Sequence, residues 1–331
     1  MLRFFRSSKT SVISLILLIG VGMWIHALSD TDLPANVRHG MPLFLLLNGL
    51  LAGISGLQVW CGLLLTLSVA MMHIYVNRLN LTNKISYLPA LCYLLLTGGV
   101  PAIHVLNPAI PATFFLNIAL IRLMISFRNE QLSYAYFTAP VYIAIATFFH
   151  CYAYVFMPVV WLCLFFFRPG YWREWVFSLL GFLFPFFWYL GWCLLRYDSP
   201  AKLFDLFAQM FSFPQVMPQW NFFTCFFLFF AALLTLFSLI YLLRSVGIRK
   251  IIVRNSYYTI LFIAALVLLM TVIVPEVLPF AWYLISFPFS LFIAYYLANV
   301  RSVRWGNIVL GLLMIAVGLS QVMYYVKNGF F

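Results

Sequence analysis

Long, unbroken runs of apolar residues dominate this chain, and they show neither the alternation of a half-buried strand nor the one-sided spacing of a surface helix. Most runs approach the roughly 20 residues that a helix needs to cross a bilayer. Short segments carrying Lys and Arg separate them. Because cytoplasmic loops are enriched in Lys and Arg, this arrangement predicts about eleven spans and a cytoplasmic N-terminus. The predicted spans are 11–28, 56–77, 85–99, 108–127, 133–149, 151–167, 175–195, 221–243, 257–275, 278–299 and 305–326.

The charged residues divide cleanly between the two sides of this arrangement. Fifteen of the nineteen basic residues fall on the predicted cytoplasmic side, and five of the seven acidic residues fall on the opposite side. The predicted fold class is therefore all-α, a polytopic transmembrane helix bundle in which 1–331 form a single transmembrane domain. We expect a multi-pass protein of the cytoplasmic (inner) membrane of a bacterium.

Composition excludes several classes of protein. Of the 331 residues, 65% are apolar and 8% are charged, whereas an ordinary soluble chain has roughly 45–50% and about 25%. The formal charge of +12 follows from the basic cytoplasmic loops, so it does not indicate a nucleic-acid partner. The six cysteines lie in or beside apolar runs and show no metal-ligand spacing. The expected partners are membrane lipids and other membrane proteins.

Two outer segments depart from a simple series of spans. The apolar stretch 41–76 is too long for one crossing, and two crossings would put Arg78 on the wrong side. We therefore predict a first outer loop with a juxtamembrane helix over 29–55, the helix itself near Pro42–Leu51. Segment 197–220 has the apolar spacing of an amphipathic helix on the outer membrane surface.

The first outer loop carries the strongest candidate chemistry. Within a few residues it combines Asp30, Asp32, Arg38 and His39, in a chain that is elsewhere almost devoid of charge. Either carboxylate could act as general base toward a hydroxyl or hold a divalent cation such as Mg²⁺ or Mn²⁺. The planar guanidinium of Arg38 suits a phosphate group.

Other polar residues on the predicted outer side join the candidate site. Arg196, at the end of its span, is a candidate phosphate ligand, and Glu276 is a candidate second carboxylate. His104 and His150 complete the candidate substrate-binding or phosphate-binding residues, with His150 at the tip of a tight turn. These histidines lack the spacing of a helical ligand pair, so no transition-metal site is predicted.

The order of elements resembles the membrane core of C-type glycosyltransferases, which use polyprenyl-phosphate-linked sugars. The resemblance is carried by the acidic first outer loop, the juxtamembrane helix after it, and the basic inner loop that leads into a Gly- and Pro-containing span at 172–185, WREWVFSLLGFLFP. It implies that an acidic residue of the first extracytoplasmic loop, here Asp30 or Asp32, is the catalytic base or a metal contact. Segments 80–84, NLTNK, and 108–122, PAIPATFFLNIALIR, are similar to an uncharacterised family of Bacteroidota inner-membrane proteins.

Three functions are compatible with these patterns. The first is transfer of a sugar from a polyprenyl-phosphate donor at the outer face of the cytoplasmic membrane. The second is a non-enzymatic subunit or lipid-binding scaffold of a cell-envelope complex. The third is a transporter or flippase, although ionisable residues in the middle of spans, which mark transport pathways, are scarce.

Overall fold

The computed structural model describes residues 2–6, 10–29, 41–51, 56–77, 86–104, 106–127, 133–197, 221–274, 278–300 and 302–327. Every regular element within these ranges is a helix, which confirms the all-α prediction. Two 3₁₀ helices lie at Pro101–Ile103 and Cys151–Phe156. The α-helices are α1 Leu2–Phe5, α2 Thr10–Ser29, α3 Pro42–Leu51, α4 Leu57–Val76, α5 Leu88–Gly98, α6 Ala109–Ser126, α7 Ala135–Thr147, α8 Met157–Phe167, α9 Trp172–Tyr197, α10 Phe222–Val246, α11 Ile251–Ile273, α12 Leu278–Asn299 and α13 Val303–Lys327.

Seven of these helices, α4, α6 and α9 to α13, are long and apolar enough to cross a membrane. The chain is therefore a multi-pass membrane protein. The remaining apolar helices are shorter, and the eleven residues of α5 extend only about 16 Å at 1.5 Å per residue. That is about half of the ~30 Å hydrocarbon core of a bilayer. The count of eleven spans stays a prediction.

The short helix α5 and the long helix α12 lie inside the bundle, and other long helices lie at its periphery. Every residue of α5 is buried. Helix α12 packs against α5, and 83% of its 18-residue apolar stretch is buried. By contrast, only 17% of the corresponding 18-residue stretch of α9 is buried. The outer helices present Leu and Phe side chains outward, where lipid tails replace protein neighbours at little cost.

The chain reverses between α7 and α8. Helix α7 ends at Thr147, the following 3₁₀ helix begins at Cys151, and both that 3₁₀ helix and α8 pack against α7. The predicted turn around His150 thus lies between these elements. Helix α3 covers the same residues as the predicted short helix. The predicted surface helix over 197–220 lies almost entirely outside the described residues.

A buried ion pair joins α8 to α9. Arg168, just after α8, donates from Nη1 to Glu174 in the first turn of α9, and both side chains are buried. The same nitrogen donates to Ser133 Oγ over 3.0 Å, and the guanidinium lies 5.6 Å from the centre of the Tyr136 ring. Two charges in an apolar bundle are tolerated because each satisfies the other.

Gly181 allows the backbones of α7 and α9 to approach closely. A Cβ built on Gly181 would lie 2.3 Å from the carbonyl oxygen of Phe137 in α7, whereas a Cβ on Gly191, further along α9, would meet nothing within 4 Å. Small residues at a helix contact are a common means of close packing in membranes.

We expect Gly181→Ala to lower the apparent melting temperature of the purified protein, because the α7 backbone must move to accept the methyl group. Overpacking of this kind costs about 1–3 kcal/mol. Gly191→Ala is the matched control, and it should be neutral or slightly stabilising because Ala favours helix over Gly. Equal melting temperatures for the two variants would contradict the close contact.

Candidate functional site

The structure describes the side chains of two predicted site residues, His104 and His150, and both are buried. Arg196 lies in the last turn of α9, and its side chain is outside the described part of the structure. The other predicted site residues are also outside the described residues: Asp30, Asp32, Arg38, His39 and Glu276. Their roles stay predictions, and the described geometry concerns the elements that flank them.

The helices before and after the acidic loop each contact the bundle close to one of the buried histidines. Helix α2 ends at Ser29, directly before Asp30, and its Trp24 ring stacks on His104 with centroids 5.0 Å apart. After the loop, the backbone N–H of Leu43 in α3 donates to the carbonyl of Phe148 over 3.2 Å, two residues before His150. Segment 30–40 therefore connects two points that are held against the bundle.

His104 belongs to a set of side chains that complete the end of α5. The last carbonyls of any helix lack partners within the helix, and leaving them unpaired in a bilayer costs several kcal/mol each. Because α5 ends inside the bundle, the hydrogen-bond donors for its last carbonyls must come from other parts of the chain. The carbonyls of Leu96, Thr97, Gly98 and Gly99 accept hydrogen bonds from Trp282, His104, Gln321 and Ser320, respectively. In the 3₁₀ helix that follows, the carbonyl of Ile103 accepts from Tyr283 and Asn107.

The geometry of His104 fixes its protonation. Its Nε2 lies 3.1 Å from the Thr97 carbonyl oxygen, which can only accept, so the ring carries a proton on Nε2. One face of the ring is covered by Trp24. Holding the end of α5 is thus the role that the structure gives to His104, and its predicted contact with phosphate stays a prediction.

His150 lies in the turn between α7 and the 3₁₀ helix. Its backbone N–H donates to the Ala146 carbonyl over 2.9 Å, and its own carbonyl accepts from Ala153 over 3.0 Å. Desolvation by burial lowers the pKa of His150 to about 4. The ring is therefore neutral at pH 7, so toward a phosphate it would offer a hydrogen bond and no positive charge.

A small, mostly apolar cavity lies within the bundle, between α6, α11, α12 and the 3₁₀ helix at Cys151–Phe156. Its volume is about 30 Å³, and Asn117 and Thr113 supply its polar lining. Asn117 Nδ2 donates to the Thr113 carbonyl over 2.8 Å, and its Oδ1 has no hydrogen-bond partner among the described residues. A cavity of this size accommodates a water molecule or two, but neither a sugar nor a lipid.

Sequence reasoning missed the donors that complete α5. One signal was available, because 98–101, Gly-Gly-Val-Pro, interrupts the apolar run well before it reaches spanning length. A second was the pair Ser320 and Gln321 in an otherwise apolar helix. Neither signal identifies which carbonyls these side chains meet.

We expect Tyr283→Phe to lower the apparent melting temperature, because it removes only the hydroxyl that donates to the Ile103 carbonyl over 3.1 Å. Asn107 Nδ2 also donates to this carbonyl, over 3.2 Å, so the acceptor keeps one partner, and the expected cost is that of a single net hydrogen bond, about 0.5–1.5 kcal/mol. Tyr258→Phe is the matched control, since Tyr258 on α11 is 38% exposed. If both variants melted with the wild type, the hydrogen bond from Tyr283 to the segment that follows α5 would not be a source of stability.

Comparison with protein-family models, with curated proteins and with solved structures finds no match for this chain. Its resemblance to C-type glycosyltransferases therefore rests on the sequence features quoted above. The functional assignment has to be argued from the residues and from the geometry around them.

Proposed function

We propose that this protein transfers a sugar from a polyprenyl-phosphate carrier to an acceptor hydroxyl at the outer face of the cytoplasmic membrane. The observation that supports the proposal is the contact of the helices on either side of the acidic loop with the bundle, through the Trp24–His104 stack and the Leu43–Phe148 hydrogen bond. A general base is effective only when it is held near the proton it removes. The flanking helices could provide the rigid support that such a base needs.

In the proposed reaction, Asp30 or Asp32 accepts the proton of the acceptor hydroxyl. The acceptor oxygen bonds to the anomeric carbon as the bond from that carbon to the phosphate oxygen breaks, and polyprenyl phosphate leaves with the electron pair. Arg38 and Arg196 would offset the phosphate charge. A divalent cation, if the reaction uses one, would be held by Asp30 or Asp32, with Glu276 as the candidate second carboxylate.

A non-enzymatic subunit or lipid-binding scaffold is the second candidate function. It is favoured by the burial of His104 and His150, the two predicted site residues whose side chains are described. His104 serves the end of α5 through its bond to Thr97. In this alternative the acidic loop would contact a partner protein at the membrane surface.

We expect Asp30→Asn combined with Asp32→Asn to lower the rate of sugar transfer at least 100-fold, the lower end of what general acid–base catalysis supplies. The assay uses full-length protein in proteoliposomes with a panel of polyprenyl-phosphate hexoses labelled in the sugar. Release of polyprenyl phosphate is measured, so that turnover is detected whichever hydroxyl accepts the sugar.

The matched control is Asp198→Asn combined with Asp205→Asn, which removes the same charge on the predicted outer side without touching the first loop. The control variant should retain wild-type turnover. The transferase proposal would be overturned if wild-type protein released no more polyprenyl phosphate than empty proteoliposomes with every donor tested. If the protein also copurified with a stoichiometric membrane partner, the scaffold function would be favoured. If the variant with Asp30→Asn and Asp32→Asn kept wild-type turnover, the two aspartates would have no catalytic role.

A further inference from the structure

A groove lies between α4 and α6 at the end of the bundle opposite to His104. The other end of α4 is near that histidine, because a Cβ on Gly62 would lie 2.8 Å from the Trp24 ring that stacks on it. The groove encloses about 450 Å³, which is within the range of about 300–1,000 Å³ typical of small-molecule sites. Its lining consists of Met71, Met72, Tyr75, Ile118, Ile121, Arg122 and Ile125.

Arg122 is the one charged residue in the lining, and it forms no hydrogen bond or ion pair with any described residue. A half-buried guanidinium among apolar side chains is costly unless an anion or water satisfies it. Arg122 lies four residues before the end of α6 at Ser126, or about 6 Å along the axis. This position near a helix end suits an anionic group at the membrane interface.

The rest of the lining suits a hydrocarbon chain. The branched Ile side chains of α6 provide one apolar wall, and Met71 and Met72 of α4 provide the other. Methionine side chains are flexible and adapt to irregular apolar ligands. Tyr75, 44% exposed near the end of α4, is the kind of amphipathic ring that concentrates at the level of lipid headgroups.

We propose that the α4/α6 groove binds an anionic phospholipid of the adjacent leaflet, with an acyl chain between the isoleucines and methionines and the phosphate on Arg122. The charge distribution predicts that this is the cytoplasmic leaflet. Arg78 and Arg128 closely follow α4 and α6 in the sequence, and basic residues beside spans attract anionic lipids. A free phosphate would use Arg122 and leave the apolar walls uncovered. The inference does not rest on sugar transfer, because none of the predicted transferase residues is among the described residues that line the groove.

The test uses full-length protein delipidated in neutral detergent and titrated with dioleoyl phosphatidylglycerol or dioleoyl phosphatidylcholine. Native mass spectrometry counts retained lipid, and the melting temperature reports stabilisation by the bound ligand. We expect phosphatidylglycerol to be retained and to raise the melting temperature more than phosphatidylcholine. Arg122→Gln should weaken phosphatidylglycerol binding about tenfold, since it removes a charge-assisted contact, and Arg122→Lys should restore much of it.

Arg304→Gln is the matched control, because Arg304 is exposed in the first turn of α13 on the same predicted side and does not line the groove. It should bind like the wild type. Ile118→Trp should weaken the binding of both lipids by filling the apolar part of the groove. The proposal would be overturned if phosphatidylglycerol and phosphatidylcholine were retained equally, both by the wild type and by the Arg122→Gln variant. The proposal would also be overturned if water-soluble glycerol phosphate displaced the lipid and bound with the same affinity, because the site would then be one for free phosphate.

Discussion

The need to satisfy every backbone polar group inside a bilayer governs this structure. A helix that crosses the whole membrane meets the requirement by itself, except at its two ends, where water is available. Helix α5 ends after eleven residues, so its last carbonyls lie within the bundle. They are satisfied by side chains from α12, from α13 and from His104. The central position of α12 and the contacts of α13 with α5 follow from this requirement.

The same requirement bears on which helices can face lipid. A long helix such as α9 satisfies its own backbone and can face lipid, and little of α9 is buried. Helix α5 depends on its neighbours and is surrounded by protein. Where α7, α8 and α9 meet, the Arg168–Glu174 pair adds a charged contact that is stable only because both members are present. Close packing at Gly181 completes this side of the bundle.

Much of the helical architecture could be predicted from the sequence, because a long apolar run in a chain with few charges has few alternatives to a membrane helix. The short helix Pro42–Leu51 followed from the excess length of its run and from the position of Arg78. The partners of the α5 carbonyls could not be predicted, because hydropathy gives the length of a helix but not its lateral neighbours. For the same reason, neither the stacking of His104 on Trp24 nor the common groove of Ile118, Met71 and Arg122 could be predicted.

The hydrogen bonds at the end of α5 also impose an order on biogenesis. Leu96 and Trp282 are 186 residues apart, and Gly98 and Gln321 are 223 apart. At a synthesis rate of about 5–20 residues per second, the carbonyls of α5 emerge roughly 10–40 s before their donors. During that interval these carbonyls lack the donors that they have in the folded bundle, and an unpaired carbonyl in lipid costs several kcal/mol. We therefore expect the native arrangement around α5 to form only after the last two helices have been synthesised.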